Sequence, residues 1–102
     1  MALNMVTRVH TVISRTEASK LYDKGIHECE RKWHLTPRGQ EAITTPYWRY
    51  MTKEERAIFD LIQLGIDTTR SEVEKHAGVE PRETGRALIG LLELGLILPG
   101  AK

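Results

Sequence analysis

Apolar positions recur every three or four residues through most of the second half of the chain. Ile58, Phe59, Leu61 and Ile62 share one face of a helix that opens at Thr52, whose spacing to Glu55 is that of a capping box, and runs over 53–64 to Gly65. Thr69 and Glu72 repeat that spacing. Val73 and Ala77 then mark the buried face of a short helix, 69–77, ended by Gly78. Pro81 opens the last helix, 81–94, with Thr84, Ala87, Leu88, Leu91 and Leu94 inward. Gly95 is placed to end it before Leu96, Ile97 and Leu98.

The first half alternates more than it winds. Residues 6–13, VTRVHTVI, read as a short strand. Ser14 with Glu17 has capping-box spacing, and Ala18, Leu21 and Tyr22 follow at helical intervals, which predicts a helix over 15–24 closed by Gly25. Residues 26–35, IHECERKWHL, alternate again and predict a second strand with one more apolar face. Thr36 and Pro37 then suit a helix start, because a threonine oxygen caps and proline at the first position sacrifices no hydrogen bond; this helix runs to about Thr44. TPYWRY, 45–50, is the linker, extended because proline disfavours a helical residue before it. The predicted organisation is thus a small αβ extension, 1–45, followed by a helical domain, 46–102.

Composition narrows the function. With 102 residues, 40% of them apolar, the chain can bury a core but has little room for a deep catalytic pocket, which favours a binding module. It contains no nucleophile with a base partner, no glycine-rich phosphate loop and no paired carboxylates of evident purpose, so neither enzyme activity nor a cofactor is expected. Cys29 is the single cysteine, which excludes an internal disulfide and fits the cytoplasm. No signal-peptide pattern or membrane-length apolar run is present. The net charge of +1 is modest for a protein that grips phosphates, yet its distribution is uneven. Residues 1–51 carry eight Lys or Arg against five Asp or Glu, and 52–102 carry seven against nine, so the halves stand at +3 and −2.

The stretch EVEKHAGVEPRETGRALIGLLELGLIL, 72–98, resembles winged-helix transcriptional regulators and the winged-helix domains that end some DNA-processing proteins. In that pattern Ala77 sits where two helices cross, Gly78 takes the tight turn and Val79 plugs the core beneath it. The resemblance implies a mainly α fold with a small β component: a winged helix-turn-helix with a three-helix core over 52–98 and short strands. It also implies that the start of the helix at 81–94 enters the major groove of double-stranded DNA. The matching positions are Arg82, Glu83 and Arg86, with Thr69, Arg70 and Ser71 as phosphate contacts; Arg31, Lys32, Arg38 and Arg49 would add backbone contacts from the first half. A homodimer is expected. The chain departs from the family where a wing hairpin should follow the last helix, because LILPGAK is too short for two strands. Either the wing is missing or the N-terminal half replaces it. LYDKGIHECERKWHLTPRGQEAI, 21–43, itself looks like the latter part of a winged helix, which would make the chain two abbreviated, related units.

Several residues admit a second reading. Glu72, Glu74, Glu80 and Glu83 repel phosphate, and many winged helices bind only proteins, so a protein-interaction module is the rival. Trp33, Tyr47, Trp48 and Tyr50 have the composition of a base-stacking platform, although cementing the two halves or a dimer is the favoured role. His27, Cys29 and His34 carry zinc-ligand atoms but lack a fourth ligand nearby, so no metal is expected. Ile89, Leu92, Leu96 and Leu98 widen the apolar stripe, for either a subunit interface or a broad core.

Overall fold

Four helices and a two-stranded antiparallel sheet make up the part of the chain described in a computed structural model, residues 11–27, 32–44, 51–64, 75 and 78–100. In order they are α1 (Arg15–His27), β1 (Trp33–Leu35), α2 (Pro37–Thr44), α3 (Lys53–Gln63), α4 (Pro81–Glu93) and β2 (Ile97–Pro99). Each helix start follows from local chemistry. The Glu17 N–H donates to Ser14 Oγ at 3.1 Å, and that of Gly39 to Thr36 Oγ1 at 3.0 Å, ahead of α1 and α2. At α3 both halves of the capping box form: Glu55 N–H donates to Thr52 Oγ1 at 3.1 Å, and Thr52 N–H to Glu55 Oε1 at 2.9 Å. The start of α4 relies instead on Pro81, after an extended Glu80.

The end of α4 is a Schellman turn. Gly95, at φ 72°, donates its N–H to the Leu92 carbonyl at 3.0 Å, and Leu96 donates to Leu91 at 3.1 Å. Carbonyls left over at this end are taken by the first half of the chain. Val12 N–H donates to Glu93 O at 2.7 Å, Arg38 Nε to Leu94 O at 2.9 Å, Thr36 Oγ1 to Gly95 O at 2.6 Å, and Thr36 N–H to Leu96 O at 3.0 Å. Gly39 lies so close to the Leu96 carbonyl that a β-carbon would collide with it.

β1 pairs antiparallel with β2, matching Trp33 to Pro99, His34 to Leu98 and Leu35 to Ile97. β2 thus takes its partner strand from the first half of the chain. Burial also crosses the predicted linker: Ala18, Trp33, Leu35 and Ala42 share one core cluster with Ile58, Phe59, Ile62, Leu88, Leu91 and Ile97. Both α1 and α3 pack on α4. The approach of α3 to α4 is close at Gly90, where the buried Glu55 carboxylate occupies the space a β-carbon would need.

Two expectations from the first half need correction. The helix predicted to stop at Gly25 runs on to His27, so Ile26 and His27 are not the start of a strand; among the described residues of 26–35, Trp33–Leu35 is extended as β1, and residues 28–31 lie outside the described residues. The helical spacing that begins at Ala18 continues through Leu21, Tyr22, Gly25 and Ile26, all buried or packed on the core. Gly25 is no terminator here. Its bare α-carbon admits the Trp33 ring, whose Cη2 would stand 2.6 Å from an added β-carbon, and Trp33 stacks on Tyr22 with ring centroids 5.9 Å apart. The strand predicted over 6–13 is not formed in its described part, 11–13, where the Val12 and Ile13 amides turn to the Glu93 carbonyl. The helix predicted over 69–77 lies outside the described residues except for Lys75, which is helical.

Candidate nucleic-acid interface

Burial divides α4 sharply along its length. From Ala87 to Leu94 every residue but Ile89 is buried, whereas Arg82 and Arg86 are exposed and Glu83 and Gly85 half-exposed. The break before this helix is real: Gly78 turns at φ 67°, in open space, and Val79 and Glu80 are not helical. Thr84, wholly buried, donates its hydroxyl to the Glu80 carbonyl at 3.1 Å and anchors the first turn from beneath. The side chains just after Pro81 thus stand clear of the protein on a helix that is buried and hydrogen-bonded at its far end.

Charge at this end is mixed. Arg86 Nη1 meets Glu83 Oε1 at 3.4 Å, with Arg86 67% and Glu83 40% exposed. Arg82 makes no hydrogen bond or ion pair among the described residues. Beside the helix start runs an open groove floored by Ala57 and Val79 and edged by Lys53, Glu54, Glu80 and Glu83. Lys53 is a cation that the sequence pattern gave no reason to place here, because only the crossing of α3 and α4 brings it beside Glu83.

Of the other candidates, Arg38 is half-buried, and its Nε is engaged with the Leu94 carbonyl, 56 positions away in sequence. Lys32 is half-buried at the end of β1, where its carbonyl accepts the Gly100 N–H at 2.8 Å. Neither is brought next to Arg82 or Arg86 by any described contact. Arg31, Arg49, Thr69, Arg70 and Ser71 lie outside the described residues, as do Tyr47, Trp48 and Tyr50. A row on α1 escaped the sequence reading: Lys20, Lys24 and His27 are exposed on one face at helical spacing.

The stacking and metal readings fare differently. Trp33 is 2% exposed and belongs to the core, so it presents no ring for a base to stack on. Cys29 lies outside the described residues, and His34 donates Nδ1–H to the Gly100 carbonyl at 2.7 Å. Among the described residues no three His, Cys, Asp or Glu side chains are grouped to hold a metal. In the apolar stripe, Leu92 and Leu96 are buried and Ile89 packs against the core, so these three serve the broad core; Leu98 alone remains 41% exposed. No helix among the described residues is long and apolar enough to cross a membrane.

Comparison of the chain with protein-family models, with curated proteins and with solved structures finds no match.

Proposed function

We propose that the chain is a winged-helix type of helix-turn-helix protein that binds double-stranded DNA, as a transcriptional regulator or as an accessory factor of replication or of a mobile element. The observation that carries this reading is the exposure of Arg82 and Arg86 on the first turns of a helix whose remaining length, Ile89 apart, is buried. A helix seated in the major groove must present its N-terminal side chains to base edges while its body stays fixed to the protein. Arg82 and Arg86 supply the donors, the amides at the helix start suit a phosphate, and the grip on Glu93, Leu94 and Gly95 holds the helix in place. The β1–β2 pair stands for the missing wing, with one strand borrowed from the first half. The homodimer belongs to the same proposal, and Leu98 is an apolar side chain open to a second copy.

One observation favours the rival, a module that binds a partner protein: three carboxylates, Glu54, Glu80 and Glu83, edge the groove beside the helix start against the single cation Lys53. The two readings separate in a titration of labelled duplex at two salt concentrations. A DNA binder holds the duplex at low salt and loses affinity steeply as salt rises, whereas the rival holds none at either.

A further inference from the structure

Resting on the duplex-binding reading, we infer that the DNA taken by this protein contains two guanines about two base-pair steps apart, one read by Arg82 and one by Arg86, and that Glu83 positions Arg86 for this task. Only a short part of α4 is accessible, and its hydrogen-bonding side chains are Arg82, Glu83 and Arg86. No asparagine or glutamine stands among them. The bidentate partner of adenine is therefore missing, while the partner of guanine, a guanidinium against O6 and N7, is present twice. The two arginines are four positions apart, which places them on neighbouring turns of one face, about 6 Å apart along the axis. Stacked base pairs rise about 3.4 Å each, so the two guanidinium groups reach bases about two steps apart.

The arginines differ in how they are held. Arg82 is without a partner among the described residues, whereas one terminal nitrogen of Arg86, Nη1, lies 3.4 Å from Glu83 Oε1. Glu83 is the less exposed of that pair and lines the groove beside Lys53 and Glu54, so it braces the guanidinium from the protein side. With Nη1 engaged there, Nη2 and Nε are left as the edge of this exposed side chain that a guanine would take. A carboxylate so placed lowers affinity for any phosphate backbone but raises discrimination at the base under Arg86.

The test is a selection of duplexes from a fully randomised library by the intact chain at low salt, repeated with Arg82→Ala and Glu83→Ala. The expected pool is enriched in two guanines one to three steps apart. Arg82→Ala loses preference at one of them, by roughly five- to a hundredfold. Glu83→Ala weakens preference at the other alone while total duplex retention stays level or rises. A pool enriched in A·T pairs, or retained with no base preference, overturns the two-guanine inference and leaves duplex binding standing. Unchanged preference in Glu83→Ala overturns the positioning role. If no duplex is retained at all, the duplex-binding reading falls and this inference with it.

Discussion

The carboxylate of Glu55 is seated over Gly90, where no β-carbon would fit. One oxygen of that carboxylate, Oε1, closes the capping box of α3, and the other, Oε2, is the atom nearest to where the missing β-carbon would stand. A capping residue is thereby also the contact that sets how closely α3 approaches α4.

Replacing Gly90 by alanine should cost about 1 to 3 kcal/mol, because Glu55 must give way and the cap opens. In a Glu55→Ala background the same change should cost far less, or stabilise by as much as about 1 kcal/mol, since alanine is the better helix former once the clash is gone. Urea denaturation of the four proteins in this cycle measures the coupling. Equal costs in both backgrounds would show that the two residues do not act on each other.

Thr36 serves two structures with one hydroxyl, accepting from Gly39 N–H and donating to Gly95 O. Thr36→Val keeps the shape and removes both bonds, for an expected loss of about 1 to 3 kcal/mol. The amides of residues 94–96 should then exchange hydrogen faster than those in the middle of α4. Uniform exchange along the helix would count against a clamp at this end.

Both Gly78 and Gly95 take positive φ, but in different surroundings. An added β-carbon meets nothing within 4 Å at Gly78, while at Gly95 it meets Val12 and Arg38. Gly78→Ala should therefore cost only backbone strain, about 1 to 2 kcal/mol, and Gly95→Ala more. Thermal midpoints in the reverse order would contradict this.

The arginines divide by what they touch. Arg86→Ala should weaken binding to a preferred duplex by about 1 to 3 kcal/mol and flatten sequence preference, with little change in stability. Arg38→Ala should lower affinity for all duplexes alike and also destabilise the fold by about 1 to 3 kcal/mol, because its Nε bonds the Leu94 carbonyl. Melting curves taken with the binding titrations separate the two. An Arg38 variant that melts like the parent would mean that its bond to Leu94 contributes nothing.

Local signals made much of this fold legible. Thr52 and Glu55 announced α3, Thr36 and Pro37 announced α2, and Pro81 with Gly95 bounded α4 to within a residue. Alternation misled where it competed with helical spacing: residues 26–35 alternate in polarity, but Ile26 continues the buried face begun at Ala18, and the winding pattern won. Gly25 read as a stop because sequence alone does not reveal that Trp33 needs its space. Among the candidate DNA contacts, the openness of Arg82 and Arg86 followed from the inward face of their helix. The bonds of Arg38 and Thr36 did not, since both reach partners more than fifty positions away.

The seam between Thr36 and Gly95 closes over 59 positions. During synthesis, Trp33 and Leu35 leave the ribosome long before the strand that will cover them, so neither half can finish folding by itself. A cut in the intervening chain would leave two pieces held together by that seam and the core they share alone, which ties the working life of the protein to the integrity of that connection.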